Sequence, residues 1–161
     1  MKVIFLDIDG VINSMDFLHA HHMLTKAKGE QFERFDQFGD PFDPRCMMHL
    51  ERIVRETGAK IVISSVWRMS GLSTMQKMWR DRGLFGEIFD VTPNLNESMA
   101  RGKEIKTWLD KRTDVESFVI LDDDTDMLPE QKPNFIKVHS LFGLCFDDAE
   151  MAISILGRRV L

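Results

Sequence analysis

Cysteine is scarce in this chain: Cys46 and Cys145 are the only two among 161 residues. That excludes a disulfide framework, and a chain of this length needs none, since about 70% of the unfolded surface is buried on folding at this size. Free thiols suit a reducing compartment, so a cytoplasmic location is expected. Both thiols read as small buried hydrophobes. Long apolar runs are missing too. The longest are strand-sized, such as Ile61–Ile63 and Phe118–Leu121, against roughly 20 residues for a membrane-spanning helix. No membrane span is expected. The start does not read as a signal peptide, because Asp7 and Asp9 interrupt the apolar run Val3–Leu6 before an h-region forms. There is no internal repeat and no low-complexity tract. Cationic charge is in deficit, 21 Lys+Arg against 26 Asp+Glu for a formal charge of −5. This argues against a broad polyanion-binding face but leaves room for a local basic cluster to grip one phosphate. Nothing in the sequence calls for an obligatory protein partner. What remains is ordinary globular composition, 43% hydrophobic and 29% charged, at the length of a single domain spanning 1–161.

Four short apolar runs end abruptly in polar or acidic residues: Lys2–Leu6 before Asp7, Lys60–Ile63 before Ser64, Glu87–Val91 before Thr92, and Ser117–Leu121 before Asp122. A fifth, Phe135–Val138, is weaker. None alternates apolar with polar, so they read as strands buried on both faces, the signature of a parallel sheet. Helical patterns separate them. Pro44–Thr57 carries Met47, Met48, Leu50, Ile53 and Val54 at helical spacing, with Pro at its start and Gly58 as its stop. Ser73–Arg82, Lys103–Lys111 and Asp147–Leu156 follow, the last opening on two acids that favour a helix N-terminus. The alternation predicts an α/β fold, a three-layer doubly wound parallel sheet. Residues 13–43 do not fit. They hold His19, His21, His22 and four Phe from Phe32 to Phe42 without a sustained period, which predicts a long loop serving as a small flap or lid.

In open parallel α/β sheets the ligand site lies beyond the carboxyl ends of the strands. There the sequence puts Asp7, Asp9 and Gly10 after the first strand, Ser64 and Ser65 after the second, and Asp122, Asp123 and Asp124 after the fourth. Five carboxylates on one edge would repel one another. A hard divalent cation such as Mg²⁺, which favours carboxylate oxygen, water and phosphate, is the usual compensation. A lysine near Lys103, at the start of the helix before the fourth strand, is placed to balance the charge further.

These residues resemble the haloacid dehalogenase (HAD) superfamily of phosphohydrolases over nearly the whole chain. Its first motif, a strand followed by Asp-x-Asp-Gly-(Val/Thr), is matched by Phe5-Leu6-Asp7-Ile8-Asp9-Gly10-Val11. The second, a strand ending in Ser or Thr, is matched by Ile61-Val62-Ile63-Ser64. The third, a lysine at a helix start, is matched by Lys103 in Arg101-Gly102-Lys103-Glu104-Ile105, and the fourth, a strand ending in paired acids, by Val119-Ile120-Leu121-Asp122-Asp123. The segments Ile63-Ser64-Ser65-Val66-Trp67-Arg68 and Leu121-Asp122-Asp123-Asp124-Thr125-Asp126 also look like the HAD domains of "Swiss army knife" RNA-repair proteins.

The resemblance implies a HAD-like, Rossmannoid fold and a role for each matching position. Asp7 would attack phosphorus and form an aspartyl-phosphate. Asp9 would protonate the leaving oxygen and then deprotonate water. Mg²⁺ would sit between Asp7, the backbone carbonyl of Asp9 and Asp123, with Asp122 the alternative ligand. Ser64 would bond a phosphoryl oxygen, Lys103 would pair with that group and Asp7, and Gly10, Ser65 and Arg68 would line the substrate site. Asp124 and Asp126 are secondary candidates, and Arg101 replaces Lys103 if the helix starts earlier. Only about a dozen residues separate the third strand from Lys103, so no large cap domain fits there. A nearly open site suits a phosphate on something large, such as a nucleic-acid 3′-phosphate end. A small-molecule phosphatase, a phosphotransferase or a catalytically silent phosphate-binding module are the alternatives.

Plainer readings stand beside these. A lone Asp-Gly after a strand is more often a turn; three further motifs in order reverse that. Asp122, Asp124 and Asp126 occupy calcium-loop positions, but Met127 stands where that loop needs Gly and Pro133 where it needs Glu. The three histidines read as a solvated loop rather than a metal site. Ser64 lacks a Gly-x-Ser-x-Gly elbow. Trp67, Trp79 and Trp108, with most Met, read as core. Lys106, Lys111, Arg112 and Asp114 read as a solvated helix face.

Overall fold

The computed structural model describes residues 1–29, 35–98 and 100–157. Strand β1 (Lys2–Leu6) has no polar face: Val3, Ile4, Phe5 and Leu6 are all fully buried. Such a strand has to be covered on both sides. It pairs in parallel with β2 (Lys60–Ile63) and with β4 (Ser117–Asp122), while β3 (Ile88–Val91) and β5 (Phe135–Lys137) close the edges. The resulting five-stranded sheet has the order β3-β2-β1-β4-β5 and is parallel throughout.

Side-chain parity along the strands divides the core. Ile4, Leu6, Ile61, Ile63, Val119 and Leu121 face the helices α2 (Pro44–Thr57), α3 (Leu72–Asp81) and α5 (Phe146–Gly157), which bury Leu50, Ile53, Met75, Met78, Trp79 and Leu156 against them. Val3, Phe5, Val62 and Ile120 point the other way, onto Ile105 and Trp108 of α4 (Arg101–Leu109). Phe5 meets Trp108 and Phe118 edge-on, at centroid distances of 5.3 and 5.8 Å, an arrangement that adds about 0.5–1.5 kcal/mol per pair beyond area burial. This is the expected three-layer α/β fold, with no separate cap among the described residues. Just nine residues, 92–100, join β3 to α4.

Local chemistry sets the helix ends. Asp43 caps α2 by accepting from the Arg45 N–H at 2.9 Å, Pro44 fills the first turn, and Gly58 ends the helix at φ 68°. The bounds of β1, β2 and α2 match those expected, and the other predicted elements lie within two residues of theirs.

The 13–43 segment differs from its expectation. It contains a helix, α1 (Met15–Ala27), capped by Ser14, and His19, His21 and His22 ride on it rather than on a loop. Periodicity could not reveal this helix because it buries no residue. Of the phenylalanines, Phe42 enters the core, Phe38 packs against it and Phe35 is exposed, while Phe32 lies outside the described residues. Asp36 anchors this turn, accepting two bonds of 2.9 Å from Arg82; these hold its carboxyl below the usual range. Cys46 is buried, and desolvation, with Asp43 nearby, pushes its thiol up to about 12. Cys145 is exposed, contrary to expectation, because it sits in the turn before α5 rather than on a core face. Among the described residues no helix is long and apolar enough to cross a membrane.

Candidate active site

Because β1 is flanked by β2 on one side and β4 on the other, the chain direction switches at β1, and the crevice there lies beyond the strand ends. The register brings those ends level: Leu6 is opposite both Ile63 and Leu121. Backbone bonds continue past them, from the Asp7 N–H to the Leu121 carbonyl and from the Ser64 N–H to the Leu6 carbonyl, both 3.0 Å. Asp7, Ser64 and Asp122 are thereby neighbours.

The chain then turns sharply. The N–H groups of Val11 and Ile12 return to the Ile8 carbonyl, and Gly10 adopts φ 75°. Glycine is required twice over at this point. The left-handed conformation disfavours any side chain, and a Cβ here would stand 2.4 Å from Asp123 Oδ2 and 3.1 Å from Ser140 Cβ.

Asp7, Asp122 and Asp123 each offer a carboxylate oxygen within 4.8 Å of the other two. Among the described residues, one cation pairs with two of them. Arg101 Nη1 donates to Asp122 Oδ2 at 2.6 Å and stands 3.2 Å from Asp7 Oδ1. The charge stays uneven. Desolvation drives all three carboxyls upward, the neighbouring Asp7 charge raises Asp122 and Asp123 further, and Arg101 offsets only part; Asp122 reaches about 7. A set of hard, crowded, under-compensated oxygens fits a divalent cation of the Mg²⁺ type and is wrong for a thiolate- or imidazole-seeking metal. The Ser65 hydroxyl donates to Asp7, and the Ser64 hydroxyl, fully buried, has no partner.

Several expected residues lie elsewhere. Lys103 does not reach the cluster: it is exposed and pairs with Glu97 at 2.7 Å. Helix α4 begins at Arg101, two residues before the expected start, and at about 100° per residue that offset turns Lys103 to the far side. Arg68 is not at a substrate surface. It is interior, bonding the Ser64 and Ser65 carbonyls at 2.7 and 2.9 Å and pairing with buried Glu104 at 2.6 Å. Asp126 caps α4, accepting from the Arg101 N–H at 3.0 Å. Asp124 is exposed and receives the Thr125 N–H. The Asp9 carboxylate, the expected acid–base group, is turned away from the other acids to Asn13 Nδ2 (2.8 Å) and Trp67 Nε1 (3.0 Å).

Sequence reading missed Trp67 and Asn13 at this site, and Glu104 beneath it. Trp67 packs partly against the core, as expected, and its place four residues after the second strand is the only signal that its indole N–H also reaches the site. Glu104 was readable only as an acid one turn into a helix.

A family model described as the HAD domain in Swiss Army Knife RNA repair proteins matches residues 3–149. Searches of the curated proteins and of the solved structures find no match. The matched region takes in β1 from Val3, the four other strands, the acidic cluster and Arg101, and the chain belongs to the HAD domains of Swiss Army Knife RNA repair proteins, a family of the HAD-type phosphohydrolase superfamily.

Proposed function

We propose that this domain is a Mg²⁺-dependent phosphohydrolase that works through an aspartyl-phosphate on Asp7 and takes the 3′-phosphate end of a nucleic acid. The observation that carries this reading is the convergence of Asp7, Asp122 and Asp123 at the sheet's switch point, with Arg101 paired to the first two. Asp7 is the nucleophile: its carboxylate attacks phosphorus as the bond to the leaving oxygen breaks. Arg101, already against Asp7, orients that carboxylate and takes a phosphoryl oxygen; the Ser65 hydroxyl holds Asp7 from below. The unpartnered Ser64 hydroxyl is suited to a second phosphoryl oxygen. Asp9 gives the leaving oxygen its proton and takes one from the water that releases phosphate. Asp7, Asp122 or Asp123 and the Asp9 carbonyl would hold Mg²⁺, whose positive charge would offset the negative charge of the phosphoryl oxygens.

The substrate class rests on the printed description of the family, RNA repair, and on the short β3–α4 connection, which leaves no cap to enclose a small molecule. Free Cys46 and Cys145 suit a cytoplasmic setting. The test compares release of phosphate from 3′-phosphorylated oligonucleotides, nucleotides, sugar phosphates and an aryl phosphate, with and without Mg²⁺, for wild type and Asp7→Asn. Preferred turnover of the oligonucleotide, dependent on Mg²⁺ and lost in Asp7→Asn, is the expected result. Equal turnover of the small phosphates removes the nucleic-acid substrate, and activity surviving in Asp7→Asn removes the mechanism.

A further inference from the structure

Asp9 poses a problem that its position in the turn does not solve. It is exposed, its carboxylate does not join the acidic cluster, and a group that passes a proton in two successive steps has to be held to a fraction of an ångström. Two donors from different parts of the chain supply that hold. Asn13 Nδ2 donates to Oδ1 at 2.8 Å, and Asn13 is itself fixed, fully buried, with its Oδ1 accepting the Gly10 N–H at 3.0 Å. Trp67 Nε1 donates to Oδ2 at 3.0 Å from 58 residues away.

Trp67 is rigid for reasons that have nothing to do with Asp9. It lies in a short 3-10 helix, Val66–Ser70, whose first turn is capped by Ser65 and pinned underneath by Arg68, which ties the Ser64 and Ser65 carbonyls to buried Glu104. Above, the indole is closed in by Phe42, at a centroid distance of 5.7 Å, and by Gly39, where an added Cβ would lie 3.2 Å from Cη2. An indole N–H is a donor and never an acceptor. It can fix one oxygen of a carboxyl group without competing for the proton, whichever state that group is in.

We infer that Trp67 is a positioning residue for proton transfer: its indole N–H, with the Asn13 amide, holds the Asp9 carboxyl in the orientation that serves the leaving oxygen. The inference rests on the proposed role of Asp9. In the first step the Asp9 proton passes to the leaving oxygen as the Asp7 oxygen–phosphorus bond forms and the ester bond breaks. In the second, Asp9 takes a proton from water as water oxygen bonds to phosphorus and the Asp7 bond is released. Both steps use the one carboxyl in the one place. The buried Arg68–Glu104 pair then has a use at a distance, as the footing under the indole.

The test is Trp67→Phe, which keeps an aromatic ring at this position and removes the donor together with part of the indole's bulk. With an alkyl phosphate, whose leaving oxygen needs a proton, kcat/KM falls by about 10–100-fold, part of the 10²–10⁴ that a positioned acid–base group provides. With dinitrophenyl phosphate, whose leaving group departs without one, kcat/KM changes by less than about threefold while kcat still drops, because release of phosphate from Asp7 continues to need Asp9 as base. Equal losses of kcat/KM on both substrates, or none on either, overturn the inference. A second measurement needs no turnover: of the three tryptophan indole N–H signals in the full chain, the one missing in Trp67→Phe shifts in Asp9→Ala and exchanges faster with solvent. An unmoved signal overturns the inference as well. Activity retained in Asp7→Asn removes the phosphohydrolase reading instead, so the two failures are told apart.

Discussion

Two arginines lie within a few residues of the same acidic edge and do opposite work. Arg68 and Glu104 are 7% and 5% exposed and meet one to one, and the arginine also donates to two backbone carbonyls, with only its Nε left without a partner. Arg101 is also largely buried, but it answers three carboxylates, two of them 8% and 0% exposed. The first is balanced and closed. The second leaves net negative charge in a poorly solvated place, a state that costs free energy unless another cation enters. Burial alone therefore does not mark a functional site; an uncompensated charge count does.

The strongest way to break this comparison is to exchange the consequences of mutating each side. Asp7→Asn is expected to abolish turnover, by at least about 10³-fold, as loss of a nucleophile does, while the fold holds or gains, since one repelling charge is gone. Steady-state kinetics beside thermal denaturation checks both halves. Glu104→Gln is the reverse case. It strands a buried guanidinium, so it should cost about 3–5 kcal/mol, which lowers Tm by very roughly 6–20 °C at 2–4 °C per kcal/mol for a chain of this size. Cation affinity of the folded fraction, measured by titration calorimetry, should stay near that of wild type.

Added cation sharpens the contrast. At a hundredfold excess over its Kd, Mg²⁺ stabilises the folded state by about 2.7 kcal/mol. The rise in Tm should vanish in Asp123→Asn and persist in Lys103→Ala. A chain with the same rise in Asp123→Asn would not hold the ion at this cluster.

The pH response has a definite sign. Burial and the neighbouring Asp7 charge raise the folded-state pKa of Asp122 from the ordinary 3.8 to about 7. The folded state therefore binds the extra proton between those values, and its contribution is fully present below the unfolded pKa and lost as pH rises toward about 7. Without divalent cation, Tm should fall between pH 4 and 7 on this account, and Asp122→Asn should flatten the fall. Saturating Mg²⁺ should flatten it too, because it favours the ionised carboxylate. The smallest effect belongs to Lys103→Ala. Its ion pair with Glu97 is exposed, at 58% and 53%, so stability should move by no more than about 0.5 kcal/mol and activity hardly at all.

Much of this molecule is legible without coordinates. A strand covered on both faces has to be apolar at successive positions, so Val3–Leu6 and Ile61–Ile63 stand out, and the acids that stop those runs fall at the sheet's edge. Other parts leave no such trace. Helix α1 buries nothing, so it has no periodicity to find. The five acids looked like one cluster, yet Asp124 faces solvent and Asp9 is tied to Asn13 and Trp67. The match to the family's lysine pointed to Lys103, whereas a helix start two residues earlier turns Arg101 inward.

The order of strands and helices, the parallel sheet and the placing of Asp7 and Asp122 at strand ends follow from the sequence itself, because backbone hydrogen bonding and burial act on local patterns that residues carry with them. Which cation meets those acids, and what holds Asp9, was decided by tertiary structure. Gly102 lets α4 approach the loop after β4, where a Cβ would be 2.6 Å from the Leu128 nitrogen, and Asp126 caps the helix there, so its rotation is set by contacts 25 residues apart. Trp67 reaches Asp9 across 58 residues. Contacts of that kind depend on how packed elements turn against one another, and no spacing along the chain encodes that.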